Sequence, residues 1–88
     1  MAQRSAVVAT KVGLHARPAS LFVKAVADSG VPVTISRGGS APVDAASILA
    51  VMTLGAQCGD EVTLTAEGAT EEEVLDDLVA LLAADLDA

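Results

Sequence analysis

The residues able to do covalent chemistry in this chain of 88 are few: one histidine, one cysteine and scattered serines and threonines. The histidine, His15, stands in Gly13-Leu14-His15-Ala16-Arg17-Pro18-Ala19. An imidazole can ligate a metal, move a proton or act as a nucleophile. A metal needs companion ligands, but there is no second histidine, and Cys58 has no CxxC partner or nearby ligand, so no metal site is expected. No carboxylate stands near His15 in sequence to act as its base, which leaves hydrolase and metalloenzyme readings weak. Phosphoryl or anion chemistry is better supported. A helix is expected to start at Ala16, and first-turn N–H groups have no partner inside a helix. They add to a partial positive charge of roughly half a unit, so a helix start is a phosphate site. That positive end also disfavours imidazolium and leaves His15 neutral and nucleophilic. Ala16 would offer its backbone N–H, and Arg17 a bidentate pair of hydrogen bonds, to phosphoryl oxygens. Lys24 lies about two turns past Arg17 on the same helix, and Lys11 flanks the other side. Three of the five basic residues thus gather about the histidine. A polar cap or surface histidine is the plainer alternative, and residue types alone leave both open.

The elements that must hold this group follow from periodicity. Ser5 to Thr10 reads as a strand, broken by Gly13. Ala16 to Ser29 reads as a helix, with Ala19, Phe22, Val23 and Val26 in one apolar stripe. Pro18 is tolerated in its first turn and Gly30 stops it. Val31 to Arg37 alternates as a half-buried strand, with Pro32 marking an edge or the strand's entry. Gly38-Gly39 is a hairpin turn, Ser40 to Asp44 the returning strand, and Ala45 to Leu54 a short apolar helix ended by Gly55. Glu61 to Glu67 is the clearest alternating strand. Thr70 with Glu73 predicts a capping box for a last helix whose stripe is Leu75, Leu78, Val79, Leu82 and Leu86. The order β-α-β-β-α-β-α predicts an α+β open-faced sandwich: a four-stranded antiparallel sheet covered on one face by three helices, one domain over 1–88.

Composition narrows the function. A chain this short buries only ~60% of its unfolded surface, so an enclosed active site is not expected. The net charge of −7 and a single aromatic residue, Phe22, argue against nucleic acid. Charge is uneven: all five basic residues precede position 38 and ten of the twelve acids lie from Asp60 onward, as suits an oriented partner surface or simply solvated faces. The start of the chain lacks the pattern of a signal peptide, and no apolar run approaches the ~18 residues of a membrane helix, so no membrane insertion and a cytoplasmic location are expected. Cys58 reads as a small buried or half-buried thiol.

The stretch GLHARPAS, with its helix, resembles the active-site signature of the HPr family, the histidine-containing phosphocarriers of the sugar phosphotransferase system. Length and element order agree over nearly the whole chain. A second stretch, Ala46-Ser47-Ile48-Leu49-Ala50-Val51-Met52-Thr53-Leu54-Gly55, resembles the family's regulatory-serine helix. The resemblance implies that His15 is phosphorylated on Nδ1 by phospho-enzyme I, itself charged from phosphoenolpyruvate. His15 then hands the group to enzyme IIA domains, while Arg17 steadies it. The chain is then a relay rather than an enzyme, needs no cofactor and works as a monomer. Partners would dock around Ser20, Lys24, Ile48, Leu49 and Met52. Ser47 matches the serine that an ATP-dependent kinase modifies in some members; it reads equally as a plain helix cap. Two positions depart from the family's habit: Ala46 replaces a frequent basic residue before that serine, and Val12 replaces a small polar residue before the glycine. Paralogues of this fold serve nitrogen-regulatory and dihydroxyacetone kinase relays, which the motif does not separate. A regulatory module contacting a transcription regulator is the reading from another class.

Overall fold

Glu61–Ala66 (β4) shows the strictest alternation, and it becomes a central strand: Val62, Leu64 and Ala66 are buried, and Glu61 is exposed. Six residues of β4 pair with Ala2–Val7 (β1) on one side and five with Val33–Arg37 (β2) on the other. The structure, a computed structural model, describes residues 2–10, 13–14 and 16–84, and of Ala16 the backbone alone. Lys11, Val12, His15 and Leu86, named above, lie outside the described residues. Val43–Asp44 (β3) completes a sheet of order β1-β4-β2-β3 in which every pair is antiparallel. Ala16–Ser29 (α1), Ile48–Leu54 (α2) and Glu71–Ala83 (α3) cover one face. α3 lies on β1 and β4, α2 on β2 and β3, and α1 packs against both other helices. Phe22, Leu14, Ile35, Leu64, Leu75 and Leu82 form the fully buried centre. Burial of each such side chain contributes roughly 1.5–3 kcal/mol before conformational entropy is charged against it.

The expected sandwich and element order are those observed, and α1 has the bounds read from its stripe. Other elements differ for local reasons. β1 runs over Ala2–Val7, not Ser5 to Thr10, because the length of β4 sets the ladder, Ala2↔Ala66 through Val7↔Glu61. Past Val7 the chain leaves the sheet: the Val8 N–H donates to the Asp60 carbonyl and the Ala9 N–H to the Leu82 carbonyl, each at 3.0 Å. Val8 is nonetheless buried, so its apolar character is that of a core loop. Pro32 is a strand entry and not an edge mark, since β2 lies between β4 and β3. β3 shrinks to two residues because Ser40 is spent on the turn. Its N–H donates to the Arg37 carbonyl and its Oγ accepts the Arg37 N–H, both at 3.0 Å.

α2 starts at Ile48, three residues later than read, since Ser47 has extended backbone (φ −103°, ψ 116°) and its Oγ accepts the Ala50 N–H at 3.3 Å. The Thr70–Glu73 capping box does not form. Thr70, at φ −112° and ψ 26°, lacks the extended backbone that aims an N-cap side chain, and Glu71 instead accepts the Gly68 N–H at 3.3 Å. Cys58 is exposed, contrary to the buried thiol expected: it sits in a turn closed by the Asp60 N–H donating to the Gln57 carbonyl at 3.0 Å. Among the described residues no helix is long and apolar enough to cross a membrane.

Candidate functional site

The motif GLHARP joins a core anchor to a helix start. Leu14 is fully buried, and its N–H donates to the Ala56 carbonyl at 2.9 Å. The anchor places the beginning of α1 beside the end of α2, where Gly55 closes the helix in left-handed backbone (φ 70°, ψ 24°). Gly13 is buried with φ 77°, a conformation that a side chain strains, and its N–H donates to the Thr10 carbonyl at 2.9 Å. The loop into the motif is therefore tied at both ends, by Val8 and Ala9 at its start and by Leu14 at its finish.

α1 begins at Ala16, with no acid in its first turn. Pro18 is buried and carries no N–H; Ala19 is wholly buried. The first-turn donors left for an outside acceptor are the N–H groups of residues 16 and 17. Arg17 is exposed and makes no ion pair among the described residues. An anion near that turn would thus meet helix donors and an exposed guanidinium together.

The other expected site residues sort into two exposed rows. On α1, Arg17, Ser20 and Lys24 are exposed at spacings of three and four residues, so they share one face. Lys24 is also paired with Asp28, Nζ to Oδ2 at 3.0 Å, so part of its charge is engaged within the helix. On α2, Leu49 is 73% exposed and Met52 39%, while Ile48 is only half-exposed because it packs on the core. Ser47 caps α2 at the end away from Gly55, so it stands apart from the α1 start.

Three residues went unread. Leu21, 39% exposed, joins the α1 row; an apolar residue off the stripe of Ala19, Phe22, Val23 and Val26 was the available signal. Arg37 and Asp60 fasten the segment that holds Leu14. Arg37 Nη1 donates to the Gly55 carbonyl at 2.7 Å and to Asp60 Oδ2 at 3.2 Å, and Asp60 Oδ2 also accepts the Gln57 N–H at 2.9 Å. They lie 23 positions apart, and no local pattern announces their meeting.

A buried anchor, a helix start without an acid and an exposed arginine stand together on an open-faced sandwich whose sequence and fold known proteins share. The family model for the PTS HPr component phosphorylation site matches residues 2–84. The phosphocarrier protein HPr of Streptomyces coelicolor is 48% identical over 87 residues, 99% of this chain and 94% of that protein. The HPr-like protein Crh of Bacillus subtilis is 41% identical over 80 residues, 91% of this chain and 93% of that one. The crystal structure of HPr-C-His from Thermoanaerobacter tengcongensis matches with a TM-score of 0.91 at 35% identity, covering 100% of this chain and 98% of that one. The chain belongs to the HPr family of phosphocarrier proteins of the phosphotransferase system.

Proposed function

We propose that this chain, as one cytoplasmic monomeric domain, relays a phosphoryl group in the sugar phosphotransferase system through His15. In the first step the Nδ1 lone pair attacks the phosphorus carried by phospho-enzyme I, and the N–P bond forms as the donor's bond to phosphorus breaks. The phosphoryl oxygens accept from the N–H groups of Ala16 and Arg17 and from the Arg17 guanidinium, which offset the charge brought to the histidine. In the second step a nucleophile on an enzyme IIA domain attacks the same phosphorus and the imidazole leaves. Both partners use the rows of Ser20, Leu21 and Lys24 on α1 and Ile48, Leu49 and Met52 on α2 in a small, short-lived encounter. The observation that carries this reading is the GLHARP motif running into the start of a helix whose first turn holds no acid.

Incubation with phosphoenolpyruvate and a catalytic amount of enzyme I tests it. Intact mass and ³¹P NMR should show one acid-labile phosphoryl group, absent from His15→Ala. No uptake, with the same enzyme I active on another carrier, contradicts the sugar-system reading. The kinship with Crh favours a second, regulatory reading, in which a serine kinase modifies Ser47 and a transcription regulator reads α2. A His15→Ala strain that keeps every cellular function would support that reading over the relay.

A further inference from the structure

The described residues on either side of positions 11 and 12 bond to one backbone segment, 56–60. At its start, Val8 gives its N–H to the Asp60 carbonyl at 3.0 Å and accepts the Gly59 N–H at 2.8 Å. At its finish, Leu14 gives its N–H to the Ala56 carbonyl at 2.9 Å. Ala56 is itself held on either side. The Gly55 carbonyl takes the Arg37 guanidinium at 2.7 Å, and the Gln57 N–H goes to Asp60 Oδ2 at 2.9 Å. Arg37 Nη1 closes the figure by reaching Asp60 Oδ2 at 3.2 Å. One cation thus bridges the final turn of α2 and the carboxylate that orders the residues after it. Its position at a helix C-terminus, where carbonyls lack partners, is the favourable one for a positive charge.

We infer that Arg37 and Asp60 are positioning residues for the entry to the phosphoryl-accepting motif: they fix the 55–57 segment, which fixes Leu14, the residue before His15 in sequence. An exposed ion pair by itself contributes little. These side chains are 43% and 37% exposed, but their bonds to the Gly55 carbonyl and the Gln57 N–H tie the pair to backbone that bears on the loop. No phosphoryl contact is assigned to either residue. The catalytic consequence rests on the relay reading above; the mechanical consequence, an ordered Leu14 amide, does not.

The test uses the full chain with Arg37→Met, Asp60→Ala and the double variant, reading amide hydrogen exchange and enzyme I-dependent phosphorylation. Loss of one bridging charged group should speed exchange at Leu14 roughly threefold to tenfold. Exchange at Leu64, in the central strand, should stay unchanged. Phosphorylation should slow by a similar factor in kcat with little change in KM, since neither side chain lies on the exposed α1 and α2 rows. The double variant should be no worse than the poorer single one, as for residues acting as one unit. Unchanged exchange at Leu14, or a rise matched at Leu64, overturns the inference, as do additive effects of the two substitutions. Absence of phosphorylation in the unsubstituted protein would defeat the relay reading alone, because the Leu14 exchange result still decides whether the pair orders the loop.

Discussion

α3 begins with three consecutive acids, Glu71, Glu72 and Glu73, whereas α1 begins at Ala16 with Arg17 and Pro18 and has no acid in its first turn. Every helix start faces the same need, since its first donors lack partners and its end is partly positive. α3 answers the positive end from within, by the charge of those three acids, with no side chain capping its first donors. Glu71 accepts the Gly68 N–H, and Glu72 and Asp76 draw Arg4 of β1 to 3.6 and 3.5 Å, which fastens the helix to the sheet. α2 uses a neutral cap, Ser47 to the Ala50 N–H. At α1 the sequence supplies a cation and leaves the negative partner to come from outside. The difference separates a helix start that serves stability from one that suits a transferable anion.

Substitutions can break or sharpen this contrast. The largest effect is expected from Arg17→Ala, which removes a charge-assisted donor and should slow phosphoryl acceptance about tenfold to a hundredfold with unchanged melting temperature. Equal rates would remove the guanidinium from the account. Ala16→Glu gives α1 the acid that α3 has. Like-charge repulsion of about 1 kcal/mol at that turn should slow acceptance roughly fivefold, while thermal stability holds or rises. A faster reaction would show that the open helix start does not matter. Ser47→Ala removes the α2 cap and should cost about 1 kcal/mol, read as a drop in melting temperature of about 4–8 °C. Ser47→Asp should keep stability near that of the unsubstituted protein, because aspartate caps as well as serine does. The smallest effect is Glu71→Ala, a slight fall in melting temperature and no change in phosphorylation rate. A change of rate there would blur the distinction between the two helix starts.

What the sequence disclosed follows the range of the interactions involved. α1 was legible because its stripe, Pro18 and Gly30 all lie within or beside the helix they define. Ser47 was legible as a cap for the same reason. The bounds of β1 were not, since the pairing of Ala2 with Ala66 spans most of the chain and only β4 decides where β1 ends. Val8 misled because burial in a loop and burial in a strand leave the same apolar residue. The Thr70 cap failed on backbone angles that residue type does not reveal, and the Arg37–Asp60 pair is a product of the fold that places the β2 turn beside the end of α2. The motif around His15 and Arg17 stood out because its residue types are rare in this acidic chain.

The proposed relay requires that the α1 start receive the phosphoryl group. The most direct measurement is a ¹⁵N–¹H spectrum of the protein before and after phosphorylation by enzyme I and phosphoenolpyruvate. The expected result is a His15 phosphoryl signal with large downfield shifts at the amides of Ala16 and Arg17, and none at Glu71 and Glu72. A phosphorylated protein whose Ala16 and Arg17 amides stay in place, or a phosphoryl group on another residue, would contradict it.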